Sequence, residues 1–368
     1  MKDSVVAFDP CSRGIGAPLV QGRIGMSQSV GFDAMLLGNY LSEHIDGLRC
    51  PLEIERFSGG QSNPTYCITD AHARKYVLRK KPAGQLLPSA HAIEREYRVM
   101  TALASSAVPV PRTHCLCTDT SIIGTPFFIM SHIAGRILWD PALPGMPNDE
   151  RAATYDEMNR VIAALHGVDH LAIGLGDFGK TGKFLERQIA RWTQQYQASA
   201  TEPILAMDRL GSWLRDHIPP SDQTTIFHGD LRLDNMIFHP TEPRILAVLD
   251  WELSTLGHPL ADLAYHALPW RLTAEEFRGM RGKDYAALGI PTEEEYLQAY
   301  CDRVGRPRLI SNEWDFYSAY SMFRLAAILQ GILKRSLDGI ASASDARETG
   351  EKARAIAEVA WNQVSKTF

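Results

Sequence analysis

The chain has 368 residues, with 38 Lys and Arg against 43 Asp and Glu, a formal net charge of −5. Hydrophobic residues at 45% exclude a disordered chain, and the length exceeds one ordinary domain of about 100–200 residues. The acidic balance excludes a general nucleic-acid binder, which carries a basic excess.

Residues 1–30, rich in Gly, Ser and Pro, read as a flexible N-terminal arm. The spacing of Phe32, Leu36, Leu37, Tyr40 and Leu41 predicts a helix over Phe32–Ile45. Leu52–Phe57 and Thr65–Thr69 predict two strands around the tip Ser58-Gly59-Gly60-Gln61-Ser62-Asn63, and Lys75–Arg79 predicts a third. Ile93–Leu103 reads as an amphipathic helix with Ile93, Tyr97, Met100 and Leu103 on one face, and Val108-Pro109-Val110-Pro111 blocks its continuation. Thr125–Ile133 reads as a buried strand ended by Ala134-Gly135. From Asn148 onward helices predominate, with one β-like insert at 236–250.

The six cysteines form no CxxC pair, which points to reduced thiols. No secretory pattern and no apolar run of roughly 18 residues is present, so a cytoplasmic protein without a membrane partner is expected.

The insert carries the chemistry. Met236–Phe238 and Ala247–Leu249 are apolar and flank the polar, Pro-containing His239–Arg244, which predicts a hairpin. Pairing about its midpoint sets Met236 opposite Leu249 and Asn235 opposite Asp250. Asp230 lies on the loop just before. An Asn carbonyl and an Asp carboxylate on adjacent strand ends suit Mg²⁺, which takes one or two protein oxygens plus waters and substrate phosphates. A second Asp nearby suits a general base for a hydroxyl nucleophile. Asp230, Asn235 and Asp250 are therefore the candidate catalytic residues, with Asn235 and Asp250 as metal ligands. This is the order of residues in a kinase active site.

Four segments sharpen the match: Phe57-Ser-Gly-Gly-Gln-Ser-Asn-Pro-Thr-Tyr66, Tyr76-Val-Leu-Arg-Lys-Lys-Pro82, His228-Gly-Asp230 with Asn235, and Asp250-Trp-Glu-Leu-Ser-Thr-Leu-Gly-His-Pro-Leu-Ala-Asp-Leu-Ala264. Across about residues 31–340 the chain resembles the aminoglycoside phosphotransferase and choline kinase-like superfamily. Within it, the chain looks most like the branch related to the phosphotransferase domain fused to some acyl-CoA dehydrogenases.

The resemblance implies an α+β, bilobal protein-kinase-like fold. A small β-rich N-lobe would span 31–134, and a larger, mainly helical C-lobe 135–368. It implies ATP and Mg²⁺ as cofactors and a small-molecule hydroxyl acceptor. Ser58, Gly59, Gly60 and Ser62 would cover the phosphates. Arg79 stands where kinases carry a strand lysine, and Glu96, with Glu94 as the alternative, would pair with it. Backbone groups near Ser131 and Ile133 would bind adenine, and His228 and Asp262 would brace the loop of Asp230. Arg187, Arg191, Trp192, Arg324 and Arg335 lie on two predicted helices that would wall the acceptor pocket, with Trp251 beside them. A cationic wall favours an anionic acceptor. The branch points to a hydroxyacyl-CoA-type acceptor. The alternatives are an aminoglycoside or choline-like amino alcohol, or a catalytically idle nucleotide-binding module. An acyl-CoA dehydrogenase is disfavoured, because the match leaves no room for a flavin domain.

Overall fold

The computed structural model describes residues 31–57, 63–82, 92–341 and 343–366. The N-terminal arm and the tip residues Ser58, Gly59, Gly60 and Ser62 lie outside the described residues.

The N-terminal part is a five-stranded antiparallel sheet between two helices. Helix α1 (Ala34–His44) precedes β1 (Glu53–Arg56), β2 (Thr65–Thr69) and β3 (Lys75–Lys80). Helix α2 (Ile93–Leu103) follows, then β4 (Thr113–Cys117), the single turn α3 (Thr120–Ile123) and β5 (Phe127–Ser131). The strand order is β1-β2-β3-β5-β4. β4, whose Thr-His-Cys-Leu-Cys sequence alternates weakly, was not expected from the sequence.

Strand alternation sends successive side chains to opposite faces. Leu78 therefore packs with Leu37 and Leu41 of α1, while Val77 joins the core around Val99 and Met100 of α2. Arg79 falls on the Val77 face. That parity alone aims it at α2.

Beyond β5, the two-residue strand β6 (Arg136–Ile137) lies against β8 (Met236–Phe238). Gly135 makes this crossing possible: a Cβ there would run into the Phe238 backbone and the Ile237 side chain. Helices α4 (Asn148–His166), α5 (Phe184–Ser199) and α6 (Leu205–Asp216) come next, then β7 (Thr225–Phe227), β8, β9 (Ile245–Val248) and β10 (Thr255–Gly257). The chain closes with α7 (Pro259–His266), the short turns α8 (Leu268–Arg271), α9 (Ala274–Phe277) and α10 (Tyr285–Leu288), then α11 (Glu293–Val304), α12 (Ser311–Leu337), α13 (Ala346–Glu351) and α14 (Ala353–Val364). α12 is the axis of this part: Tyr317, Tyr320 and Phe323 are buried along it, and α5, α7 and α14 pack around it. No described helix is long and apolar enough to cross a membrane.

Two expectations about the β insert need correction. It is not the sole β structure after Asn148, because β7 pairs antiparallel with β10 across the insert's two ends. The hairpin register is also shifted by one. Met236 faces Val248, not Leu249, and Leu249 N–H donates to the Asn235 carbonyl at 2.8 Å. The turn sets it: Phe238 faces Ile245 directly across His239–Arg244, two positions short of the expected Ala247, and the irregularity that leaves Leu246 extra recovers one of the two, so that Ile237 faces Ala247.

Candidate active site

The loop after β7 is held from three sides. Asp262, fully buried at the start of α7, accepts from the backbone N–H of His228 at 2.7 Å and of Gly229 at 2.9 Å. Burial alone would raise its pKa, but His166 and the loop N–H groups outweigh that and hold the carboxyl below its ordinary value. His228 Nδ1 accepts from the Asp230 N–H at 3.1 Å, which leaves Nε2–H to donate to the Leu249 carbonyl at 2.9 Å. One imidazole thus ties the loop to the end of β9, one residue before Asp250. Gly229 itself sits at φ +85°, where a side chain would be strained, and its carbonyl accepts from Arg324 Nη2.

Asp230 emerges from this brace. Its Oδ2 accepts from Asn235 Nδ2 at 2.9 Å, and the same amide donates to the Asp230 carbonyl at 2.7 Å. Spending the amide nitrogen on Asp230 fixes the orientation of Asn235, so its Oδ1 is the atom left for a cation. The Asp230 Oδ1 meets Arg232 Nε at 2.9 Å. Arg232 was not expected at the site, though its place two residues after Asp230 was a readable signal. Burial disfavours its charge, yet Asp230 and Asp234 more than compensate and raise its pKa.

Asp250 is reached by a different device. It adopts φ +65°, unusual for a residue with a Cβ, and this left-handed turn swings it off the end of β9. Its Oδ1 accepts from Arg79 Nη2 at 3.0 Å. Arg79 Nε lies 2.9 Å from Glu96 Oε2, and Nη2 lies 3.3 Å from Glu252 Oε2. The alternative glutamate, Glu94, instead meets Lys81 Nζ at 2.6 Å. Glu96 is almost fully buried; desolvation pushes its pKa up to about 8, opposed by Arg79 and reinforced by Asp250 and Glu252. Three carboxyl groups thus surround one guanidinium, and Asp250 with Glu252 make the cleft locally anionic. Glu252 is a second site residue that the sequence reading passed over.

Among the described residues, no group of three or more His, Cys, Asp or Glu side chains forms a metal cage. The donor set here is different: one carboxamide oxygen, one carboxylate and surplus negative charge. That set fits a hard divalent cation that keeps waters and phosphate oxygens.

The remaining expected residues divide. The Ser131 N–H donates to the Arg112 carbonyl at 2.8 Å, and Ser131 Oγ bonds His114 Nε2, so this residue's donors are committed to the sheet rather than to adenine. Ile133 lies just past β5, in an apolar patch with Phe57, Ile237 and Leu249. Trp251 does not face an acceptor. It is fully buried, stacks at a tilt on His228 with centroids 4.5 Å apart, and donates Nε1–H to the Val248 carbonyl. Arg187 caps its own preceding loop through the Lys180 and Gly182 carbonyls. Arg191 is exposed, with its guanidinium 5.2 Å from the Trp192 ring. Arg335 is also exposed. Arg324 is buried between the Trp192 and Tyr265 rings, at 5.4 and 4.6 Å.

Residues 53–306 match the model of the phosphotransferase enzyme family. The chain belongs to that family. A structure from Ralstonia eutropha, provisionally named an aminoglycoside phosphotransferase, is 54% identical, with a TM-score of 0.84 over 91% of this chain and 99% of that one. Mouse acyl-CoA dehydrogenase family member 10 is 51% identical over 90% of this chain and 30% of its own length. Human member 11 is 40% identical over 92% of this chain and 44% of its own length. The phosphotransferase chain therefore spans less than half of these curated relatives. Choline kinase from Cryptosporidium parvum, at 12% identity and TM-score 0.57, shares the fold over 91% of this chain and 97% of its own. The kinase-like bilobal architecture expected from the sequence is thereby established for this phosphotransferase.

Proposed function

We propose that this phosphotransferase transfers the γ-phosphoryl group of ATP to a hydroxyl on an acyl compound of the hydroxyacyl-CoA type. The observation that carries the reading is Asp230. It is a carboxylate braced by His228 and Asp262, held by Asn235 and Arg232, and set beside the Asp250–Arg79–Glu96 array. Asp230 would accept the acceptor's hydroxyl proton as the oxygen forms its bond to the γ-phosphorus. The bond from that phosphorus to the bridging oxygen breaks, and ADP leaves with the electron pair. Arg79, steered by Glu96, would hold the α- and β-phosphates with its two-pronged guanidinium. Mg²⁺ held by Asn235 Oδ1 and Asp250 would neutralise charge on the phosphates. Positioning and charge neutralisation would provide most of the rate. The Phe57, Ile133 and Leu249 patch would cover the adenine.

Two features support the acyl acceptor. The curated relatives at 51% and 40% identity are acyl-CoA dehydrogenase family members. The 54% identical Ralstonia eutropha structure carries an aminoglycoside name only provisionally, and the aminoglycoside 3′-phosphotransferase and ethanolamine kinase neighbours stand at 18% and 13%, where only the fold is shared. Cys67, Cys115, Cys117 and Cys301 are free and buried, in keeping with a reducing, cytoplasmic setting. An ATP-consumption screen of the purified chain against hydroxyacyl-CoA thioesters, aminoglycosides and choline analogues tests the reading. Turnover is expected with the thioesters. Turnover confined to an amine class, or none with any acceptor despite tight MgATP binding, would refute it.

A further inference from the structure

The loop between Asp230 and Asn235 forms one wall of a small pocket, part of it open to solvent. Arg232, Leu233 and Asp234 supply that wall. The others come from rings that the sequence scatters widely: Trp139, Tyr155, Tyr265, Trp270 and Phe277.

The polar atoms on these walls are largely spent on the protein. Tyr155 Oη donates to the Pro141 carbonyl at 2.5 Å, and Trp270 Nε1–H donates to the Pro291 carbonyl at 2.9 Å. His266, also in the lining, bonds the Leu231 carbonyl through Nδ1 at 3.2 Å and Tyr296 Oη through Nε2 at 2.9 Å. The pocket's carboxylate, Asp234, is bridged by Arg278 at 3.0 Å and Arg232 at 3.4 Å. Arg278 in turn lies over the Trp139 ring at 5.7 Å and the Phe277 ring at 5.8 Å.

A polyamine sugar needs unpaired carboxylates and hydrogen-bond acceptors, and this wall offers it an already neutralised one. An apolar chain needs only rings and dryness. The geometry points to this pocket as the seat of an aliphatic tail on the acceptor, lodged among Trp139, Tyr155, Trp270 and Phe277 while the hydroxyl reaches Asp230. The inference rests on the phosphotransfer reading, and it names the part of the acceptor that this chain selects.

Calorimetric titration of the full chain tests it. The probes are straight-chain hydroxyalkanoyl thioesters of N-acetylcysteamine, from four to ten carbons, with a non-transferable ATP analogue present. Each added methylene should tighten binding by up to about fourfold until the chain fills the pocket. Phe277 is only partly buried and lies on a short turn, so its variants should fold, which their melting profiles check. Phe277→Ala should flatten the chain-length dependence, and Phe277→Trp should shift the best chain to a shorter one. Affinity independent of chain length, or a slope unchanged in both variants, would overturn the inference, as would tighter binding of kanamycin or choline. A slope that Phe277→Ala flattens, found in samples that transfer no phosphoryl group from ATP, upholds the pocket and refutes the phosphotransfer reading instead.

Discussion

Arg79 and Asp250 lie 171 residues apart in the chain and 3.0 Å apart in the fold. The same guanidinium meets Glu96 and Glu252, so one side chain ties β3, α2 and the turn after β9 together. Replacing it with Met leaves three carboxyl groups facing one another. Breaking such a buried array costs about 3 kcal/mol. Arg79→Met should lower the denaturant midpoint accordingly and weaken MgATP binding about tenfold or more. Arg79→Lys should recover part of both, since it restores charge without the fork. Unchanged nucleotide affinity in Arg79→Met would remove Arg79 from the site.

Asp262 never touches the cleft, yet its two oxygens take the N–H groups of His228 and Gly229. An amide in its place offers one acceptor oxygen and turns an NH₂ group toward a donor. Asp262→Asn should cost about 1–3 kcal/mol in unfolding free energy. It should also reduce kcat more than it raises the KM for ATP, because it loosens the Asp230 loop and leaves the phosphate-binding side alone. Steady-state kinetics separates the two: equal changes in both parameters would deny Asp262 this positioning role.

Much of this site could be read from the residues. Strand parity puts Arg79 on the face of Val77, and helical spacing puts Glu96 on the α2 face that packs there, so their contact needs no further information. The hairpin register was not legible, because Ile245 joins the strand directly after the polar turn, and neither that nor the extra residue Leu246 leaves a mark on an apolar run. The convergence of Asn235 and Asp250 depends instead on the backbone of Asp250, whose φ of +65° no pattern announces. Trp251 was expected beside the acceptor pocket. The left-handed turn sends its ring inward behind His228. β7 and β10 are three residues each, too short for any periodicity to register.

His258 gives the fold an acid sensitivity. Its Nδ1 accepts from the Leu260 N–H at 3.3 Å and so caps α7, and its Nε2 bonds Tyr317 Oη at 3.2 Å. Burial, aided by Arg306 and His166 and opposed by Asp222, pushes its pKa from 6.5 down to about 4. Burial does the same to His266. The folded state therefore holds these rings neutral, while the unfolded chain protonates them below 6.5. Their contribution to stability is complete above that pH and erodes as pH falls toward about 4. Urea melts between those limits should show a falling midpoint. His258→Gln, which cannot take the extra proton, should give a shallower fall, and an identical pH slope would exclude His258 as a source.

Asp230 bears the central claim. The direct measurement is ATP-dependent phosphorylation of a hydroxyacyl-CoA acceptor by the wild-type chain and by Asp230→Ala, with MgATP affinity measured on both. The account predicts a kcat lower by about 10²–10⁴-fold in the variant, the range expected for losing a positioned general base, with nucleotide affinity close to wild type. Turnover by Asp230→Ala at a near wild-type rate would contradict it.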